Sequence, residues 1–347
     1  MRLIDCDVHP SFPHPDGLAD YLAPAARNRF LARPVTSVIF PPPNGGTRVD
    51  ARPVGGGRPG SDPELFRKQL LDDSGIDVAI HIPNFAGQAL DPDFNAQVQM
   101  GVNDWMADKW LGEYNDHGRY RSSITLPINN INAAVHELER WADHPYFVQA
   151  WLPHRSQVPY GNRLFHPLWE VAARHRLPVA IHANSSGQTA MSTPVGFSRY
   201  YMELHAVAES LAYVSHLLSF LCEGVFERFP GFRLVLVEGG YAWLGPLMWR
   251  LDKSWRAMRS EFPLLKRPPS EYIYEQVRFT TQPVEEPDRP KDLLRLYEMT
   301  DASRLLMFAT DYPHWDFDDP KRVLPRLSPQ DREKVAYGNA AELYGLN

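Results

Sequence analysis

Several polar residues in this 347-residue chain sit where an apolar run ends, and their types suit metal chemistry. Asp7 and His9 close the run Arg2-Leu3-Ile4-Asp5-Cys6-Asp7-Val8-His9-Pro10. His182 closes Leu177-Pro178-Val179-Ala180-Ile181-His182, Glu238 closes Phe232 to Glu238 (FRLVLVE), and Asp311 follows Arg304 to Thr310. Residues i and i+2 of a strand point to the same side, so Asp7 and His9 are expected to project together. Two imidazoles and three carboxylates facing one mouth form a nitrogen and oxygen donor set for Zn, Mn or Fe(II), with a position left for water or substrate. Each residue taken alone has a plainer role. Asp-x-His-Pro can be a strand running into a turn, His182 a hydrogen-bonded core histidine, and Asp311 before Tyr312-Pro313 a turn former. Taken together they ask for a cation, because unpaired buried charge is costly.

The elements that must carry these residues alternate regularly. After strand 1 come a short helical piece within 11–34, a possible accessory strand at Thr36 to Phe40, and a glycine- and proline-rich stretch from Pro41 to Gly60. That stretch is expected to be a flexible insertion after strand 1, either a lid or a plain surface loop, because the alternation resumes directly behind it. Helix 62–73 opens with Asp62 as N-cap and Pro63 at the first helical position, and Gly75 ends it. Strand 2 (76–82), helix 91–111, strand 3 (120–126), helix 132–141 and strand 4 (146–152) follow. Then come helix 165–176, strand 5 (177–183), helical region 201–228, strand 6 (232–238), helix 241–258, a weaker strand 7 (277–281), helix 291–299 and strand 8 (304–310). Eight strand-helix units imply parallel strands with helical crossovers, and a single closed (β/α)8 TIM barrel over residues 1–347. An open doubly wound sheet is disfavoured, since no glycine-rich phosphate loop follows strand 1.

Composition narrows the partners. A formal charge of -6, with both signs interspersed, offers no basic face for nucleic acid. Cys6 and Cys222 make no disulfide framework, which suits a cytoplasmic protein. There is no signal-peptide pattern and no apolar segment of membrane-spanning length, so no membrane partner is expected. A small molecule is the expected partner.

The combined motifs carry a resemblance. Asp-x-His near the start, H-P-L-W-E before L-P-V-A-I-H, E-G-V-F-E-R-F-P-G-F-R-L-V-L-V-E-G-G-Y-A-W-L, and F-A-T-D-Y-P-H-W-D before Y-G-N-A-A-E-L-Y-G-L resemble the amidohydrolase superfamily. The branch is the amidohydrolase-2 group, which includes aminocarboxymuconate-semialdehyde, γ-resorcylate and 5-carboxyvanillate decarboxylases. The resemblance implies one divalent ion, Zn or Mn with Fe as a further option, held by Asp7, His9, His182 and Asp311, and no organic cofactor. Strand 4 (Phe147-Val148-Gln149-Ala150-Trp151) lacks the lysine that binuclear members carboxylate. One departure stands out: the decarboxylases carry H-x-G at the end of strand 6, where this chain has Glu238-Gly239-Gly240.

By this resemblance the leading expectation is non-oxidative decarboxylation of a small aromatic or unsaturated carboxylic acid, with Asp311 or Glu238 supplying the proton. Hydrolysis of a C-N, C-O or activated C-C bond is the alternative. A non-heme iron oxygenase is the third, should His205, His216 or His314 also face the metal. His314, Arg199, His154, Asn184 and Trp315 are candidates to touch substrate. Asn339 is expected to cap the last helix, and a homodimer or higher homo-oligomer is expected, with Trp243, Trp249 and Trp255 as candidate apolar surface.

Overall fold

The computed structural model describes residues 1–32, 46–83, 91–183, 200–203, 205–206, 209–324 and 327–346. Eight strands run in sequence order, each parallel to the next: β1 (Ile4–Val8), β2 (Val78–His81), β3 (Tyr120–Thr125), β4 (Phe147–Pro153), β5 (Val179–His182), β6 (Leu234–Val237), β7 (Val277–Thr280) and β8 (Leu306–Met307). The last strand returns to the first. Cys6 N–H donates to the Phe308 carbonyl (3.0 Å), Asp311 N–H to Asp7 (3.0 Å) and His9 N–H to Tyr312 (2.7 Å). The sheet is therefore a barrel, the expected (β/α)8 architecture.

Apolar residues divide into two layers, as a barrel requires. Ile4, Cys6, Ile80, Ile82, Ala180, Val235, Val237 and Met307 come from five different strand regions and pack on one another, which only the barrel interior permits. Tyr337, Ala340 and Tyr344 join them. The Arg2 guanidinium lies 3.7 Å from the Tyr337 ring, so the C-terminal helix Asn339–Tyr344 plugs the end where β1 begins. The opposite end is left for chemistry. A larger outer layer, with Leu3, Val8, Trp110, Trp169 and Phe220, lies between strands and helices.

Caps and breaks follow local chemistry. Asp62 accepts from Glu64 N–H (3.0 Å) and Leu65 N–H (2.9 Å), and Asp91 caps its helix through Phe94 N–H (2.8 Å). In the expected helical region 201–228, Tyr201–Glu203, Glu209–Cys222 and Val225–Arg228 are helical among the described residues, with Gly224 in the left-handed region (φ 66°) before the last piece. β8 is shorter than expected. Past Met307, backbone groups turn to side chains: Ala309 N–H donates to Thr281 Oγ1 (3.1 Å) and Thr310 N–H to Asp5 Oδ1 (3.0 Å), so the ladder stops. Helix Pro269–Gln276 was hidden behind Pro268-Pro269; the second proline occupies its first turn.

The stretch expected as a flexible insertion is anchored over its described part. Arg48 N–H donates to Pro313 O (2.9 Å), Thr47 pairs with His314, and Ser11 binds Pro59 O and Gly60 O (2.6 and 2.9 Å). Residues 41–45 and the suggested strand Thr36 to Phe40 lie outside the described residues. Among the described residues no helix is long and apolar enough to cross a membrane.

Candidate metal centre

The first pair of donors depends on a fault in β1. Its register against β2 slips by one residue between Asp5 and Val8. Strict alternation would place Asp7 and His9 on the face opposite Ile4 and Cys6; the extra residue turns all four toward the interior. His9 is then locked in orientation. Its Nδ1 lies 2.9 Å from the Ile82 carbonyl, which can only accept, so Nδ1 carries the hydrogen and Nε2 presents its lone pair. Buried Asp5 supports both sides of the closure, accepting from Thr310 Oγ1 (2.5 Å), Thr310 N–H (3.0 Å) and Asp7 N–H (3.2 Å). Burial pushes its carboxyl up to about 7.

His182 ends β5, and Glu238 and Asp311 directly follow β6 and the β8 region. Both acids have φ of 61°, the left-handed region that non-glycine residues rarely occupy. The closure holds them there: Glu238 N–H donates to Thr280 Oγ1 (3.0 Å) and Asp311 N–H to Asp7 O.

Asp7, His9, His182 and Asp311 are all buried and bring one donor atom each within 4.8 Å of the others. His9 Nε2 lies 3.0 Å from Asp7 Oδ1 and 2.8 Å from Asp311 Oδ1, and His182 Nε2 lies 3.3 Å from Asp7 Oδ1. Yet both Asp7 oxygens, His9 Nε2 and both His182 nitrogens lack a hydrogen-bond partner among the described residues. These atoms converge without bonding one another. Adjacent ligands about 2.1 Å from an ion are separated by about 3 Å, so the spacings fit the edges of a coordination shell. The donor set therefore fits a divalent ion.

Electrostatics agree. Burial works against charge on Asp7 and Asp311, but His182 and His9 beside the first, and His314 and His9 beside the second, hold both below the usual carboxylate range. Burial likewise opposes charge on His9, yet Asp7 and Asp311 hold it well above its ordinary value. The two carboxylates thus favour positive charge between them, which a bound cation would supply.

A second group adjoins the first. His205, Glu238 and Asp316 are half-buried and bring donors within 4.8 Å of one another. His205 Nε2 is 2.9 Å from Asp316 Oδ2, and Glu238 Oε2 is 3.2 Å from His182 Nε2. Burial, reinforced by the charge of Asp311, pushes Asp316 up to about 7. Gln282 lies between the groups, its Nε2 donating to Asp311 Oδ2 (3.3 Å) and Asp316 Oδ2 (3.2 Å).

A barrel with this mouth has relatives. Residues 4–346 match the Amidohydrolase family. The chain belongs to that family. It is 27% identical over 294 residues to the γ-resorcylate decarboxylase of Polaromonas sp., covering 81% of this chain and 87% of the relative. An amidohydrolase from Mycobacterium avium subsp. paratuberculosis superposes with a TM-score of 0.74 at 19% identity, over 100% of this chain and 98% of the other. A dihydroxybenzoic acid decarboxylase from Polaromonas sp., solved with manganese and the inhibitor 2-nitroresorcinol, gives 0.68 at 21% identity, over 100% and 97%.

In this amidohydrolase the remaining candidates divide. His314 sits at the centre: Nδ1–H donates to Asp311 Oδ1 (2.6 Å), and its ring is 4.5 Å from that of His9. Trp315 is 39% exposed at the rim, with its ring 5.7 Å from His205 and its Nε1–H donating to Tyr201 Oη (3.3 Å). His154 lies beyond β4, buried, stacked on Tyr213 at 6.0 Å and outside the converging donors; burial holds it well below its ordinary value. His216 is structural. Its Nε2–H donates to His154 O (2.7 Å) while Nδ1 accepts from Tyr160 N–H (3.2 Å), leaving nothing for a metal. Asn184 and Arg199 lie outside the described residues.

Asn339 does not cap its helix: its φ and ψ are helical, and its Nδ2 ties the helix to Ser303 O (2.8 Å) and Leu306 O (2.7 Å). Of the three tryptophans, Trp255 is buried, Trp243 half-buried and Trp249 exposed. Sequence reasoning missed Asp5, Gln282 and Asp316 as contributors. Gln282 carried the same signal as the others, a polar residue shortly after an apolar strand, and Asp316 stood inside the motif already noted.

Proposed function

We propose that this amidohydrolase is a metal-dependent, non-oxidative decarboxylase of a small aromatic or unsaturated carboxylic acid. The observation that carries the reading is the convergence of Asp7, His9, His182 and Asp311 at the end of the barrel, with buried donor atoms of the first three left unpartnered among the described residues. The γ-resorcylate decarboxylase relative supports the reaction class. The four side chains would hold one divalent ion, with manganese the first candidate from the manganese-bound neighbour. When bound, the ion supplies Lewis-acid charge that holds the substrate's carboxylate and a neighbouring oxygen.

The chain's own residues then handle a proton. Decarboxylation breaks the C–C bond, leaves its electron pair on the ring or alkene carbon, releases CO2 and requires one proton at that carbon. Asp311, whose Oδ1 lies 2.6 Å from His314 Nδ1, is the candidate to pass that proton, with His314 supplying its replacement. Trp315 and Tyr201 offer aromatic faces at the rim for an unsaturated acid to lie against.

The test is CO2 release from a panel of hydroxybenzoic and unsaturated acids by metal-loaded protein, run in D2O. One deuterium at the vacated carbon is expected, with loss of turnover in Asp311→Asn. Hydrolysis is the second reading, favoured by Glu238, a carboxylate base for water beside His182. Cleavage of esters or amides with no CO2 from any acid in the panel would select it.

A further inference from the structure

We infer that His205, Glu238 and Asp316 form a second divalent-cation site beside the first, so that the mouth holds an adjacent pair of ions. The inference takes the first site as read above. It stands on two side chains outside the trio. His182 is fully buried, and its Nε2, without a hydrogen-bond partner among the described residues, lies 3.3 Å from Asp7 Oδ1 and 3.2 Å from Glu238 Oε2; its one lone pair serves the first site, and its position sets Glu238, a donor of the second, directly beside a ligand of the first. Gln282 is also fully buried. Its amide nitrogen contacts one carboxylate of each group, and its Oε1 has no partner among the described residues.

Charge points the same way. Asp7, Asp311, Glu238 and Asp316 face four histidines, His9, His182, His205 and His314. Imidazoles bound to a metal are neutral, so it is the carboxylates of each group that a cation would meet. This arrangement owes nothing to a carboxylated lysine, since β4 has none. It gives Glu238 a purpose: a carboxylate at the end of β6, where the resembling decarboxylases carry a histidine, meets His205 from the helical segment after β5 and Asp316 from the loop after β8. The donors are imidazole and carboxylate throughout, which suits Mn(II), Fe(II) or Zn(II) over a thiophilic ion.

The experiment is titration of chelator-stripped full-length protein with Mn(II), read as bound equivalents by plasma mass spectrometry and by electron paramagnetic resonance. About two equivalents per chain and an exchange-coupled spectrum are expected for the natural sequence. Glu238→Gln with Asp316→Asn should bind about one equivalent and give an isolated-ion spectrum, and His205→Ala, at the solvent edge, should do the same with less risk to folding. A single equivalent that survives in all these variants would overturn the second site and leave the first standing. A single equivalent lost in them but kept in Asp7→Asn with His9→Gln would overturn the first site and the pair with it. No binding by the natural sequence would overturn both.

Discussion

Gly60 offers a sharp test of how the centre is held. It has φ of 77°, and a Cβ built there would lie 2.5 Å from the His9 carbonyl oxygen and 3.3 Å from Pro313 Cγ. Gly60→Ala therefore meets two costs. The left-handed backbone contributes about 1–2 kcal/mol, and forcing a methyl against a backbone carbonyl adds about 1–3 kcal/mol. Gly56→Ala separates them, because Gly56 also has positive φ (91°) but nothing within 4 Å of its Cβ. Unfolding entropy near 2.1 cal/mol/K per residue gives about 0.7 kcal/mol/K for 347 residues. Gly56→Ala should then lower Tm by about 1.5–3 °C and Gly60→Ala by about 3–7 °C. Only Gly60→Ala should also weaken Mn(II) binding, since relieving the overlap moves the backbone of His9. Calorimetry with metal titration reads both quantities. Equal effects of the two variants on Tm and on affinity would refute the claim that the anchored loop braces His9.

Stripping the metal should destabilise the protein. An ion present at about a thousand times its Kd contributes about 4 kcal/mol, so chelation should lower Tm by about 6 °C, and an unchanged melting curve would count against the centre. Acid should act through His216, whose burial depresses it from 6.5 to about 4. Above 6.5 both states are neutral; as pH falls toward 4 the unfolded chain takes a proton the folded chain refuses, and stability drops by up to about 1.4 kcal/mol per pH unit. His216→Gln should remove about 2 kcal/mol of the loss between pH 7 and 5, measured by urea unfolding at each pH. His81 is buried among Phe66, Trp110 and Tyr120 with neither ring nitrogen partnered among the described residues, and is held down to about 3 by burial. His81→Leu should raise stability by about 1 kcal/mol, and a loss in the same urea assay would show that the imidazole has an unseen role.

What could be read from the sequence, and what could not, divides along a physical line. A barrel puts the ends of its strands at one mouth, so a polar residue closing an apolar run is placed by topology alone; Asp7, His9, His182, Glu238 and Asp311 were found in that way. Features that depend on one extra residue or on a distant partner left no such trace. The slip in β1 is invisible in the alternation, although without it Asp7 would face away from His182. Asp5 reads as one more strand residue until Thr310, far along the chain, closes on it. His216 and His314 are alike as letters, but one has both nitrogens satisfied by backbone and the other meets Asp311. Glu238 joins the two cases. Read locally, it was a departure from a decarboxylase pattern that weakened the functional reading. In space it stands between His182 and the pair His205 and Asp316, from segments after β5 and β8 that no local pattern connects to β6. A carboxylate at that strand end is thereby met by residues on two other segments, which is why its surroundings could not be read from β6 alone.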